Sequence, residues 1–168
     1  MTYQAYFLRD QIGTAKHDVP HVIFLGTGTQ AVIAIAASLL GGRLSDRTGR
    51  RKSFVAAASV TYGAALIVIA TASSLDGYLA GMALSGLGFG TYMAVDLALV
   101  ADVLPNANST AKDLGILNIA GALPFFVAPA LAPVVLALGG GSYSVLYGFA
   151  GACALLGAAA IVPVKGVR

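Results

Sequence analysis

Residues 42–52 read GRLSDRTGRRK, and this short basic stretch separates two long apolar runs of the chain. Five of the ten lysine and arginine residues lie within residues 43–52, and one acid, Asp46, stands among them. The flanking runs at residues 21–40 and 54–72 contain no lysine, arginine, aspartate or glutamate. Charges concentrated in this way indicate a polar connection between two segments that are buried in an apolar environment.

The composition indicates that this environment is lipid. Of the 168 residues, 58% are hydrophobic and only 10% are charged, whereas a soluble domain carries about 25% charged residues. An ordinary water-soluble enzyme is therefore excluded, and the clustering of the bases argues against a nucleic-acid partner. The single cysteine, Cys153, excludes an internal disulfide and a zinc site. We predict a membrane protein without enzymatic activity, cofactor or metal.

Five apolar segments are long enough to cross a bilayer as helices. Each covers a hydrocarbon core of about 30 Å at a rise of about 1.5 Å per residue, and none shows the alternation of a barrel strand. Residues 1–8 are amphipathic but too short, which suggests the outer end of a further helix. The predicted fold is an all-α polytopic transmembrane helical bundle, one membrane domain over residues 1–168 with five full spans and a partial sixth at the N-terminus. The spans lie at residues 21–40, 54–72, 77–104, 114–138 and 143–162.

The distribution of the bases predicts the orientation of these spans. If the loop at residues 41–53 is cytoplasmic, the loop at 105–113 and the C-terminus share its side, which then holds eight of the ten bases. The opposite side holds only Arg9 and Lys16. This asymmetry follows the positive-inside rule and predicts a multi-pass protein of the cell membrane, whether plasma or inner membrane.

The stretch at 42–52 resembles the loop signature of the major facilitator superfamily, Gly-x-Leu-Ala-Asp-Arg-x-Gly-Arg-Arg, with serine replacing alanine at Ser45. In that family the signature joins the second and third helices of each six-helix half. It joins the same two helices here if the partial helix at residues 1–8 is counted as the first. The resemblance implies a transporter fold.

Two departures from family motifs indicate which half the chain resembles. Met82 stands where the N-terminal half of many members carries an arginine ahead of Gly86-Leu-Gly88. The fourth span reads Gly121-Ala-Leu-Pro124 and lacks the Gly-Pro pair of the antiporters. Both departures favour the C-terminal half, and the short length predicts that the chain is a fragment of it.

The resemblance also implies a conformational latch in the loop. In the family the acid of the signature bonds to an arginine of the same loop and faces a helix end of the other half. Carried over, Asp46 and Arg50 become latch residues, and Asp102 at the end of the third span becomes a third partner. The alternative is a positive-inside anchor whose acid only offsets the repulsion between the bases. The full set of predicted latch residues is Gly42, Asp46, Arg47, Gly49, Arg50, Arg51 and Asp102.

Polar residues inside the spans predict a solute cavity. Ser85, Gly88, Tyr92 and Asp96 recur at helical spacings and share one face of the third span. A carboxylate at the depth of Asp96 indicates a functional site, although a structural bond to a neighbouring helix is the alternative. In the family the helices that match residues 1–8 and the first, third and fourth spans line the cavity. The candidate cavity residues are Tyr3, Gln4, Gln30, Tyr92, Asp96 and Asn118.

Packing is the other role expected of the small and polar residues within the spans. Gly86 and Gly90 form a small-xxx-small pair, which favours close packing of two helices over a nucleotide-binding loop. For any single glutamine or asparagine within a span, the alternative to a role in the cavity is a hydrogen bond between helices.

These features together predict transport of a small-molecule solute across the bilayer by alternating access. The resemblance implies that the chain is the C-terminal half and pairs with a missing N-terminal half or with a second protomer. Two alternatives stay open: a small transporter that works as a homodimer, and a membrane scaffold subunit that transports nothing.

Overall fold

A computed structural model describes residues 3–103 and 110–161 of the chain, except for the side chains of residues 97–103, 110–114 and 117. The described part is helical and contains no strand, which confirms the predicted all-α fold class. Within it, five helices are long and apolar enough to cross a membrane, as the sequence predicts. The helices are α1 (Gln4–Asp10), α2 (Val19–Thr48), α3 (Arg51–Thr71), α4 (Leu75–Val103), α5 (Thr110–Leu138) and α6 (Tyr143–Ile161).

Helix α4 occupies the middle of the bundle. It packs along α2 on one side and along α3 on another, and α3 in turn packs along α6. Within the described residues, α5 makes its helix contacts with α6, and these are few. Phe125 and Phe126 of α5 are accordingly 80% and 77% exposed within the chain. The bundle is therefore built from α2, α3, α4 and α6, with α5 at its edge.

Three glycines allow α4 to approach its neighbours at backbone distance. A Cβ atom at Gly86 would lie 2.5 Å from the carbonyl oxygen of Gln30, and one at Gly90 would overlap the carbonyl oxygen of Ala34. On the opposite side, a Cβ at Gly88 would lie 2.7 Å from the amide nitrogen of Tyr62. Gly86 and Gly90 thus form the packing face against α2 that their spacing predicts.

Helix α1 is short but firmly attached. Phe7 and Leu8 are fully buried in a cluster with residues of α2, α3 and α4. The Gln4 amide nitrogen donates a hydrogen bond of 3.1 Å to the hydroxyl of Tyr78 on α4. We name this end of the bundle, which contains α1 and the start of α4, the α1 end. We name the opposite end, which contains the bases of residues 43–52, the basic end.

The signature at the basic end is mostly helical, which differs from the loop expected at residues 41–53. Helix α2 continues to Thr48, so Gly42 lies inside it. The helix ends at Gly49, whose φ of 64° lies in the left-handed region that glycine adopts without strain. Gly49 and Arg50 alone separate α2 from α3. The glycine that terminates the helix is thus Gly49.

We expect the substitution Gly90→Ala to destabilise the bundle, because the added methyl group would overlap the Ala34 carbonyl oxygen. Overpacking of this kind costs about 1–3 kcal/mol. The matched control is Gly121→Ala, since a Cβ at Gly121 of α5 meets nothing within 4 Å. Thermal unfolding of both variants in detergent, followed by circular dichroism, should show a lower apparent Tm for Gly90→Ala alone. Equal melting of the two variants would contradict this packing.

Candidate functional site

The signature acid forms an ion pair across the turn between α2 and α3. A guanidinium nitrogen of Arg51, in the first turn of α3, lies 3.3 Å from a carboxylate oxygen of Asp46, in the last turns of α2. The family resemblance favoured Arg50 as the partner, and the structure pairs Asp46 with the next arginine. The side chain of Asp102 lies outside the described residues. An exposed ion pair adds less than about 1 kcal/mol of stability, so this pair contributes little to holding the two helix ends together.

Two further bases of the signature border an apolar groove at the basic end. The groove has a volume of about 690 Å³ and runs between α2 and α4, with Phe54 of α3 at one edge. Arg43 and Arg47, one helical turn apart, line its polar end. The side chains of Leu40 and Leu87 are among those that line the rest. This surface therefore combines an apolar floor with two positive charges.

Ser45 is the signature position at which this chain departs from the family pattern. Its side chain is buried, and its hydroxyl has no hydrogen-bond partner within the part of the chain that the structure describes. Alanine, the family residue, would fill this position without a polar atom. The serine is accommodated sterically, but its hydroxyl loses its hydration without compensation.

The predicted cavity residues do not converge on a single site. Gln4 is buried at the α1 end, where it is hydrogen-bonded to Tyr78. The ring centroids of Tyr3 and of Tyr143 on α6 are 6.3 Å apart. Gln30 is buried in the middle of α2, with its backbone against Gly86 of α4. These three predicted residues therefore contact neighbouring helices within the chain.

The other three predicted cavity residues lie on two helices, α5 and α4. Asn118 is exposed on α5, at the edge of the bundle. Tyr92 and Asp96 lie one turn apart on the same face of α4. Both side chains are half-buried.

Tyr92 lines a second groove, which we name the tyrosine groove. It lies between α3, α4 and α6 and has a volume of about 500 Å³. The rings of Tyr62 and Phe89 flank one another with centroids 6.4 Å apart. The residues that define the groove are Ser59 and Tyr62 of α3, Phe89, Tyr92 and Met93 of α4, and Ala154, Gly157 and Ile161 of α6, together with Ala58.

Sequence analysis did not select Ser59, Tyr62 or Phe89. The resemblance assigned α3 and α6 to the outside of the family's cavity, so the polar residues of α3 were not weighed. A signal was present, because Ser59 and Tyr62 are three residues apart and share one face of an uncharged span.

Ser85, a second buried serine, provides a matched test of the Ser45 environment. Ser45 and Ser85 are each 2% exposed, but the Ser85 hydroxyl donates a bond of 2.8 Å to the Met82 carbonyl oxygen. We expect Ser45→Ala to stabilise the bundle by about 1 kcal/mol relative to Ser85→Ala, since only Ser45 has an uncompensated hydroxyl. Reversible unfolding in mixed detergent micelles measures both. A larger loss of stability in Ser45→Ala would show that this hydroxyl has a partner.

Comparison with known proteins places this geometry in a family. Residues 3–166 match the Major Facilitator Superfamily. An uncharacterized transporter of Buchnera aphidicola subsp. Schizaphis graminum is 27% identical over 123 residues, which cover 67% of this chain and 30% of that protein. The major facilitator superfamily multidrug transporter mfsC of Aspergillus fumigatus is 30% identical over 116 residues, which cover 69% of this chain and 21% of that protein.

The alignments therefore span less than a third of the length of either relative. No solved structure matches the chain. The family match includes α1, the signature and all five spans. On this match, the chain belongs to the major facilitator superfamily, a family of membrane transporters.

Proposed function

We propose that this chain forms one half of a transporter that moves a small solute across the cell membrane by alternating access. The observation that carries the proposal is Asp96, a half-buried carboxylate at the end of the apolar part of α4. An ionisable residue inside a membrane span is costly, and such residues mark solute or ion pathways. The family match supports the same function.

Alternating access in this family requires two six-helix halves that rock against each other around a solute site near the midplane. We assign this chain to the C-terminal half. It provides one wall of the pathway, so it transports only when a second half faces it. An N-terminal half or a second copy of the chain can supply that wall. The exposed apolar surface of α5 is compatible with either partner.

At the basic end, the Asp46–Arg51 pair supports the role of a latch. We propose that it holds the ends of α2 and α3 in the arrangement that one state of the transport cycle requires, with Asp102 as a third member. The same end is proposed to be cytoplasmic, because it carries most of the bases. If the bases served only as an anchor, removal of the Asp46 charge would leave the transport rate unchanged.

The test replaces single residues in the gene at its native locus, so that every other segment or chain that the transporter needs is present. Membrane vesicles are assayed for uptake of a panel of radiolabelled organic cations, anions and sugars. We expect Asp46→Asn and Asp96→Asn each to reduce uptake of at least one solute by about fivefold or more, as the loss of a coupling interaction does. The control is Asp76→Asn, which changes an exposed acid at the α1 end of the same helix.

The outcomes separate the two classes of function. Loss of uptake in both variants, with normal amounts of protein in the membrane, supports transport. A scaffold tolerates both substitutions, so unchanged uptake of every solute in both variants contradicts the proposal. Loss of uptake in Asp96→Asn alone contradicts the proposed latch at Asp46, whereas the proposed solute pathway at Asp96 still stands.

A further inference from the structure

The apolar groove at the basic end follows one face of α2. Its lining positions on this helix recur at spacings of three and four residues, as the positions on one helical face do. They are Ile33, Ala36, Ala37, Leu40, Gly41, Arg43, Leu44 and Arg47. From position 33 to position 41 every one of them is apolar, and the two arginines come nearer the end of the helix. One continuous strip of surface therefore passes from apolar side chains to positive charges.

The length of this strip matches one leaflet of a bilayer. Ile33 and Arg43 are ten residues apart, which is about 15 Å along a helix at about 1.5 Å per residue. The hydrocarbon core of a bilayer is about 30 Å thick, so each leaflet contributes about 15 Å. Helix α2 is one of the five spans. With its bases at the membrane surface, the apolar part of the groove reaches about the middle of the bilayer.

The groove is open and has room for an apolar chain. Its floor on α2 includes the small residues Ala36, Ala37 and Gly41, and the volume is about 690 Å³. Leu40 and Leu44 at its side are 65% and 56% exposed within the chain. Among the described residues, α5 contacts α6 rather than α2 or α4. The fifth span therefore leaves this face of the bundle uncovered.

The two bases of the groove have no charged partner among the residues that the structure describes. Asp46, which lies between them in the sequence, is paired with Arg51, and the other ion pairs found there lie at the α1 end. Both arginines, Arg43 and Arg47, are exposed. A guanidinium group presents its donors in a planar fork that matches the oxygens of a phosphate group. The charge of the groove is thus complementary to a phosphate.

We propose that the groove between α2 and α4 binds an anionic phospholipid, with its phosphate at Arg43 and Arg47 and one acyl chain along the apolar floor. Basic pockets between membrane helices bind anionic lipid head groups through the same charge complementarity. The inference goes beyond the proposed transport function and does not depend on it. Neither Asp96 nor Tyr92 is among the residues that line this groove.

Other occupants fit the groove less well. A zwitterionic lipid carries a cationic amine beside its phosphate, and the two arginines repel that amine. A helix of another chain must place an acid against both arginines and also fill the apolar floor. An anionic phospholipid supplies the phosphate and the apolar chain in one molecule.

The experiment uses a tryptophan placed in the groove, because the chain contains none of its own. Leu40→Trp puts this reporter in the groove lining, and Leu39→Trp puts a control reporter at nearly the same depth but outside the lining. Both positions are more than half exposed. Each variant is reconstituted in brominated phosphatidylcholine, which quenches tryptophan fluorescence. Increasing fractions of unbrominated phosphatidylglycerol or phosphatidylcholine then give the relative affinity of each lipid at that position.

We expect the reporter at Leu40→Trp to show a preference for phosphatidylglycerol over phosphatidylcholine of about fivefold or more. The reporter at Leu39→Trp should show nearly equal affinities. In the Leu40→Trp chain, replacing both Arg43 and Arg47 by glutamine should abolish the preference. The charge-matched control replaces Lys16 and Arg50, which are exposed bases outside the groove lining, and should retain it.

A second pair of variants tests the apolar floor while both arginines are kept. Ala36→Phe fills the groove from an exposed position of its lining, and it should reduce the preference for phosphatidylglycerol. Ile35→Phe is the control, because Ile35 is 63% exposed and does not line the groove.

Three results would overturn the inference. The first is equal affinity of the two lipids at Leu40→Trp, a comparison that requires no change in the charge of the chain. The second is the same preference at Leu39→Trp, which would show that the bases attract anionic lipid to the surface without a site in the groove. The third is quenching at Leu39→Trp but none at Leu40→Trp, which would show that protein, such as a second copy of the chain, covers the groove.

Discussion

The close approach of α4 to α2 and α3 is the constraint on which the rest of the bundle depends. Lipid provides no hydrophobic force between helices, so membrane helices associate through close van der Waals contact and interhelical hydrogen bonds. Gly86 and Gly90 bring α4 to the carbonyl oxygens of α2, and Gly88 brings it to the backbone of α3. These contacts fix both the position and the rotation of α4, and therefore where each of its other side chains points.

The rotation of α4 determines the chemistry of each end. Tyr78 and Met82 meet Gln4 of α1, whereas Tyr92 meets α3 and α6 in the tyrosine groove. Gln30 packs its backbone against Gly86 and does not line this groove. One helix thus divides the polar residues between packing contacts at the α1 end and a groove nearer the basic end.

Hydropathy was sufficient to predict the five spans, since a membrane helix of this length needs an apolar run that few other folds contain. The end of α2 was not predictable in detail, because Gly41, Gly42 and Gly49 all permit a turn and only the left-handed conformation of Gly49 shows which one ends the helix. Of the residues that line the tyrosine groove, sequence analysis selected Tyr92, which follows from polarity in an apolar span. Ser59 and Tyr62 line the same groove because of how α3 is rotated against α4, which helical spacing does not fix.

The central claim is that Asp96 marks a solute pathway, which requires water to reach the groove that Tyr92 lines one turn away. Cysteine labelling of two positions on α6 tests it most directly, in a Cys153→Ser background. Ala154→Cys faces the groove, and Leu156→Cys replaces a residue that is 71% exposed and absent from the groove lining. A hydrophilic maleimide added to membranes should label Ala154→Cys, while Leu156→Cys stays unlabelled in lipid. Faster labelling of Leu156→Cys, or no labelling of Ala154→Cys, would contradict the account.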